Sequence, residues 1–181
     1  MNRSMLLRAS APAALIAILA GCAAKETSPV SGIPESLRVP DGQTLTRVLH
    51  GSGVQIYACL PGQEDPSRFA WIFQAPAADL SDRSGKEIGR HYAGPTWEAN
   101  DGSKVVGELV AQDRGPDPHA IPWLLLRAKS TSGKGIFGAT KTIQRLYTVG
   151  GLAPSSVCDA SHAGKRERVP YAAEYYFYGA R

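Results

Sequence analysis

Three side chains able to move protons fall close together in the chain: His91, Glu98 and Asp101. An imidazole beside a carboxylate is the usual pairing for general acid–base catalysis. If the segments flanking Gly94-Pro95 pair as strands, His91 and Glu98 approach across the sheet. The chemistry implied is that of a hydrolase with His91 assisted by Glu98 or Asp101. A covalent route needs a nucleophile, and Ser103 lies in a turn without the strained elbow that activates such a serine.

A second group suits binding rather than chemistry. Trp71, Trp97, Trp123, Tyr57, Tyr92, Tyr171, Tyr175, Tyr176 and Tyr178, with Arg90, Arg127 and Arg145, combine flat apolar faces, polar tips and cations, the composition of a cleft for a sugar, an aromatic metabolite or a peptidoglycan fragment. Tyr92, Trp97, Trp123, Arg127 and Tyr171 are the binding candidates taken from this set. Metal chemistry has less to work with. His50, His91, His119 and His162 are scattered with no pair at i+2 or i+4. Although Asp113, Asp117 and His119 share a proline-rich loop that could hold a cation, polar loops carry acids simply because they are solvated. No metal and no cofactor is expected. Of the two functional readings, binding without catalysis is favoured and the hydrolase is the alternative.

The elements that position these residues follow from local pattern. Trp97 approaches Asn100-Asp101-Gly102, and Val105, Val106, Leu109 and Val110 return from it. Asn, Asp and Gly tolerate the positive φ of tight reversals, so a hairpin is expected. Gly53–Cys59 alternates with period two, and Phe69, Trp71 and Phe73 recur on one face as in a core strand. Thr44–His50 reads as a separate earlier strand. Ala75-Pro76 reads as the end of the Phe69–Phe73 strand, with at most one helical turn over Ala77–Leu80. Ile121–Ala128 suits a strand buried on both faces. Lys141–Tyr147 fits a strand or a short helix, and Tyr171–Tyr178 is a strongly aromatic strand. About eight short antiparallel strands, many Gly and Pro turns and no amphipathic helix predict an all-β single domain, either a β-sandwich or a small β-barrel.

The N-terminus is expected to lie outside that fold. Arg3 and Arg8 precede the apolar run Ala11–Ala20, which is too short to span a bilayer, so residues 1–21 read as a signal peptide. Leu19-Ala20-Gly21-Cys22 resembles the bacterial lipoprotein signal, which predicts lipidation of Cys22. Residues 22–36 then form a flexible tether and residues 37–181 the β domain. Acyl chains contribute about 0.8 kcal/mol per buried methylene, so two or three hold a domain on a membrane. Ala23 after the cysteine favours the outer membrane, with the domain on the periplasmic side.

Export shapes the other expectations. Losing Arg3 and Arg8 reduces the formal net charge from +4 to +2. No concentrated basic face remains, which argues against nucleic acid as a partner. The expected partners are the membrane, through the lipid, and a small molecule or cell-envelope component. Cys59 and Cys158 remain as an even pair in an oxidising compartment, so a disulfide is expected. It would close a loop of about 100 residues, for which chain entropy gives on the order of 4 to 5 kcal/mol.

Six segments carry a family resemblance: His91–Trp97 (HYAGPTW), Asp101-Gly102-Ser103, Ile121–Leu125 (IPWLL), Ile143-Gln144-Arg145, Gly150–Pro154 (GGLAP) and Val169-Pro170-Tyr171. In this order they resemble the motifs of DUF3455, a family of secreted bacterial and fungal proteins, over about Leu37–Tyr178. The resemblance implies one exported β-rich domain and supplies no activity, cofactor or catalytic residue. A dinucleotide site is not supported, because no glycine-rich turn joins a strand to a helix.

Overall fold

A computed structural model describes residues 32–181. The expected signal peptide, Cys22 and the first part of the tether lie outside the described residues. Eight strands follow in chain order: β1 Gln43–Pro61, β2 Phe69–Ser81, β3 Glu87–Tyr92, β4 Thr96–Ala99, β5 Lys104–Asp113, β6 Trp123–Ser132, β7 Thr140–Gly150 and β8 Arg166–Ala180. Each pairs antiparallel with the next, and β8 pairs back onto β1. The sheet is a closed barrel, which decides between the two all-β architectures. Eight strands enclose an interior just wide enough for side chains to fill. The end at which β1 finishes is the upper end below.

Alternation along each strand sends one face inward. From β8, Tyr171, Ala173, Tyr175 and Phe177 point in and are buried, while Tyr176 and Tyr178 point out. They meet Trp97, Leu49, Leu80, Val105, Leu126, Ile143 and Phe137 in one continuous core. Such rings need space. A Cβ on Gly51 would stand 2.6 Å from Tyr175 Cε2, and one on Gly107 would stand 2.9 Å from Trp97 Cζ3. Glycine at those two positions lets the large rings lie against the wall.

A second, smaller core lies outside the barrel. Trp123, Leu125 and Leu146 face outward from β6 and β7, and Leu37 covers them with help from Ile33 and Val39. The Gln144 side chain donates to the Leu37 carbonyl at 2.7 Å and accepts from the Tyr178 hydroxyl at 2.7 Å. The first part of β6, Trp123–Leu126, is therefore covered on both faces, as its apolar run predicts, whereas from Arg127 onward the strand has an exposed outer face. Ile33 and the 3₁₀ turn Glu35–Leu37 lie against the outside of the barrel, next to the expected start of the body at Leu37.

Several local expectations gave way to tertiary structure. Thr44–His50 and Gly53–Cys59 are parts of the one strand β1, because β8 pairs along its length. Pro76 does not end β2, and Ala77–Leu80 is strand rather than helix. β3 pairs with β2 only over Ala78–Ser81, so Pro76 sits on a stretch of β2 with a partner strand on one side only, where proline is tolerated. Nearby, the Gln74 amide nitrogen donates back to Ile72 O and Phe73 O at 3.0 and 3.3 Å. Phe73 is 49% exposed rather than in the core, because this part of β2 rises past β3 and β4. β7 resolves the Lys141–Tyr147 alternatives in favour of a strand.

Two further connections brace the barrel. Cys59 in β1 and Cys158 in the β7–β8 loop form a disulfide, with Cα atoms 5.6 Å apart. At the lower end, Gly102 takes φ 84° in the expected turn between β4 and β5. There the Asp101 carboxylate accepts from Ser103 N at 2.8 Å and Ile136 N at 2.9 Å, and Ser103 Oγ accepts from Phe137 N at 3.1 Å. The turn is thereby tied to the β6–β7 loop, whose Phe137 is fully buried beneath the core.

Candidate functional site

The β3–β4 turn, Ala93-Gly94-Pro95, sets the orientation of the suspected acid–base pair. It places His91 opposite Trp97 and Arg90 opposite Glu98. Neighbouring residues on a strand face opposite ways, so His91 enters the barrel and Glu98 leaves it.

The His91 ring stacks on Trp97, with centroids 4.4 Å apart and planes 15° apart, and Tyr175 lies 5.1 Å away. His91 Nδ1 donates to the Thr96 carbonyl at 2.9 Å, which fixes the neutral tautomer because that carbonyl can only accept. Burial pushes the imidazole down to about 3, with the nearby positive charge of Arg145 adding to the effect and the bond to Thr96 opposing it. At neutral pH this is an uncharged core histidine.

Glu98 sits outside, accepting from the Tyr92 hydroxyl at 2.8 Å and paired with Lys104 at 3.2 Å. The Tyr92 and Lys104 hydrogen bonds hold its carboxyl below the ordinary value. Asp101 is committed to the lower-end turn, and its bonds to Ser103 and Ile136 hold it low as well. The structure thus brings none of the three candidates together with another. Among the described residues no group of three or more His, Cys, Asp or Glu side chains is arranged to hold a metal ion.

The five binding candidates are also dispersed. Tyr92 and Arg127 lie on the outer surface, and Arg127 pairs with Glu108 at 2.6 Å. Trp123 packs in the outer core, edge-on to Tyr147 at 5.3 Å. Trp97 and Tyr171 are inside, 1% and 4% exposed.

Tyr171 has neighbours of a different kind. Around it the upper interior is polar: Gln55, Tyr57, Arg145 and Tyr175 point inward with it from β1, β7 and β8. Tyr57 donates to Gly151 O at 2.7 Å, and the Tyr171 and Tyr175 hydroxyls bond each other at 3.2 Å. Arg145 Nε and Nη2 both donate to Pro122 O, at 3.1 and 2.7 Å. Burial lowers the Arg145 guanidinium and raises all three tyrosines, and the arginine's charge partly offsets the rise in each. The backbone is bent to fit. Tyr147 is the only non-glycine residue with positive φ among the described residues, at 48°, in the irregular stretch between Leu146 and Val149.

An open groove of about 470 Å³ lies elsewhere, outside the barrel along Leu45–Val48 and Asp82–Ser84. It contains none of the candidates, and Asp82 there is taken up by Ser84 and Lys86 N.

The family model described as "Protein of unknown function (DUF3455)" matches residues 40–179. The chain belongs to this family. No curated protein and no solved structure matches it. Segments that carry the DUF3455 resemblance converge on the upper end of the barrel: His91 and Trp97, Ile121 and Pro122, Arg145, Gly150 and Gly151, and Tyr171. Ile121 N donates to Gly150 O at 2.9 Å, and Thr148 Oγ1 donates to Ile121 O at 2.6 Å, joining two of these segments directly.

Tyr57, Arg145 and Tyr175 of this DUF3455 domain belong to the wider set of tyrosines, tryptophans and arginines that suggests a cleft, although not to the five named binding candidates, and Gln55 belongs to neither. A signal for Gln55 existed. Gln55, Tyr57 and Cys59 share one alternating face of β1 with Gly51 and Gly53, and that face is the interior despite its polar composition.

Proposed function

We propose that this domain is an exported binding barrel that does no chemistry, held by a lipid on Cys22 at the periplasmic side of the outer membrane. Its ligand, a small molecule or an envelope component, is received at the upper end, with Tyr171 among the binding residues. The observation that carries this reading is the gathering of Gln55, Tyr57, Arg145, Tyr171 and Tyr175 in the upper interior, a concentration of polar groups that core packing alone does not require. The opposed directions of His91 and Glu98 weigh against the hydrolase alternative.

Three experiments test it. Thermal melting against a panel of envelope metabolites is expected to reveal a compound that raises Tm by several degrees, less so in Phe73→Ala, since Phe73 stands at the rim edge-on to Tyr57 at 5.8 Å. Hydrolytic turnover abolished by His91→Asn in a folded variant would overturn the reading. For the anchor, Cys22→Ala is expected to move the protein from a salt-washed membrane fraction to the soluble periplasm. Continued tight membrane retention of that variant contradicts the lipid.

A further inference from the structure

Arg145 stands inside the barrel without a counter-charge. Its place is fixed by register: it lies opposite Tyr175, one inward position along from Ile143, which lies opposite Phe177. Among the described residues no carboxylate pairs with it, whereas Arg127 on the outer surface has Glu108. A guanidinium carries five N–H donors. Two of Arg145's are spent on the single carbonyl of Pro122, and the hydroxyls of Tyr175, Tyr171 and Tyr57 are its other polar neighbours, none of them carrying a charge to oppose it. Taking a cation out of water without an opposing charge is costly, so an anion brought to this place would be favoured.

A second observation points to the same place. The Gln55 side chain is 2% exposed, and its Nε2 has no hydrogen-bond partner. Its Cγ and Tyr171 Cβ both approach Gly151, lying 3.1 and 2.8 Å from where a Cβ on that glycine would sit, and Tyr57 bonds the Gly151 carbonyl. The Tyr171–Tyr175 pair uses one hydroxyl proton and leaves the other free to donate. Unspent donors from Arg145, Gln55 and one tyrosine therefore share this end of the barrel, and Arg145 alone of these residues retains partial exposure.

We propose that the upper interior is a binding site for a small monocarboxylate with an apolar or aromatic body, its head received by the fork of Arg145 with Gln55 and a tyrosine hydroxyl. This rests on the reading of the domain as a binding barrel and adds the ligand class. The charge balance selects a monoanion. Arg145 supplies one positive charge, His91 stays neutral, and the three tyrosines are uncharged, so a dianion such as phosphate would leave a net negative charge in a desolvated place. A planar carboxylate also matches the guanidinium fork. The body of the ligand has Phe73 and Tyr57 to lie against.

The test uses the full-length chain with its disulfide intact, titrated calorimetrically with sodium acetate, sodium benzoate and inorganic phosphate. Saturable one-to-one benzoate binding is expected, with acetate weaker and phosphate weaker still. Arg145→Gln is expected to weaken benzoate at least tenfold. Because that variant loses the Pro122 bonds as well, a second measurement needs no substitution: the Arg145 Nε–H resonance of the wild-type protein is expected to shift along the benzoate titration. Benzoate binding that leaves this resonance unmoved, or that persists in folded Arg145→Gln, overturns the proposal, as does tighter binding of phosphate. Should neither carboxylate bind while a neutral compound raises Tm in the metabolite panel, the carboxylate site is wrong and the binding barrel stands.

Discussion

His91 and Glu98 stand one residue out of register across the β3–β4 hairpin, His91 facing Trp97 inside the barrel and Glu98 facing Arg90 outside it. The three-residue turn Ala93-Gly94-Pro95 causes this. Thr96 Oγ1 donates to Ala93 O at 3.0 Å, and Pro95 O accepts from Gly107 N at 2.8 Å, so the turn is held on both sides. A one-residue slip would exchange every inward and outward side chain.

The buried imidazole gives stability a pH dependence. His91 titrates at about 3 when folded and near the ordinary 6.5 when unfolded. Above 6.5 both states are neutral and its contribution is fully present. As pH falls from 6.5 toward 3 the unfolded chain takes up a proton that the folded one refuses, so stability falls by up to about 1.4 kcal/mol per pH unit. Glu98 and Asp101, held below their ordinary values, lose their contributions at lower pH. Urea midpoints between pH 7 and pH 5 are expected to decline in the wild type and to flatten in His91→Phe; an unchanged slope in that variant assigns the loss elsewhere.

Ser103→Ala tests the lower-end connection. Ser103 is 1% exposed, and its Oγ is the acceptor for Phe137 N, so removal leaves a buried N–H unpaired. A loss of about 1–3 kcal/mol is expected from chemical denaturation. No measurable change would mean that the loop finds another acceptor.

Leu37→Ala tests whether the segment before β1 is part of the fold. Leu37 is fully buried against Trp123, Leu125 and Leu146. Large-to-small changes at such positions cost about 2–5 kcal/mol. Denaturation at wild-type urea concentration would show the segment to be dispensable.

Reducing the Cys59–Cys158 bridge releases a constraint spanning 99 residues of sequence. The expected loss is on the order of 4 kcal/mol, read as a lower urea midpoint in dithiothreitol than without it. Cys59→Ser with Cys158→Ser is expected to match the reduced protein and to be indifferent to reductant.

Much of the wall was legible locally. The alternation at Gly53–Cys59, the Asn100-Asp101-Gly102 turn and the aromatic alternation of Tyr171–Tyr178 each express a backbone preference that survives in the folded chain. Closure was not, because it depends on β1 meeting β8 from opposite ends of the domain. Pro76 carried a true local signal that lost its force at a position without a second partner strand. The site was the least legible part. Arg145 reads as a surface charge until the register of β7 turns it inward, and no local pattern reveals that no carboxylate among the described residues pairs with it.

The stretch of β2 above Ala78 is the exception to the closed ring, since it pairs with β1 on one side and, among the described residues, with no strand on the other. A free strand margin is a template on which a second chain can add itself. Here Pro76 has no N–H to offer, and Gln74 folds its amide onto the carbonyls of Ile72 and Phe73. Crowded copies of this protein therefore find no continuous backbone to extend, and the aromatic rim stays exposed without becoming a seed for fibrous growth.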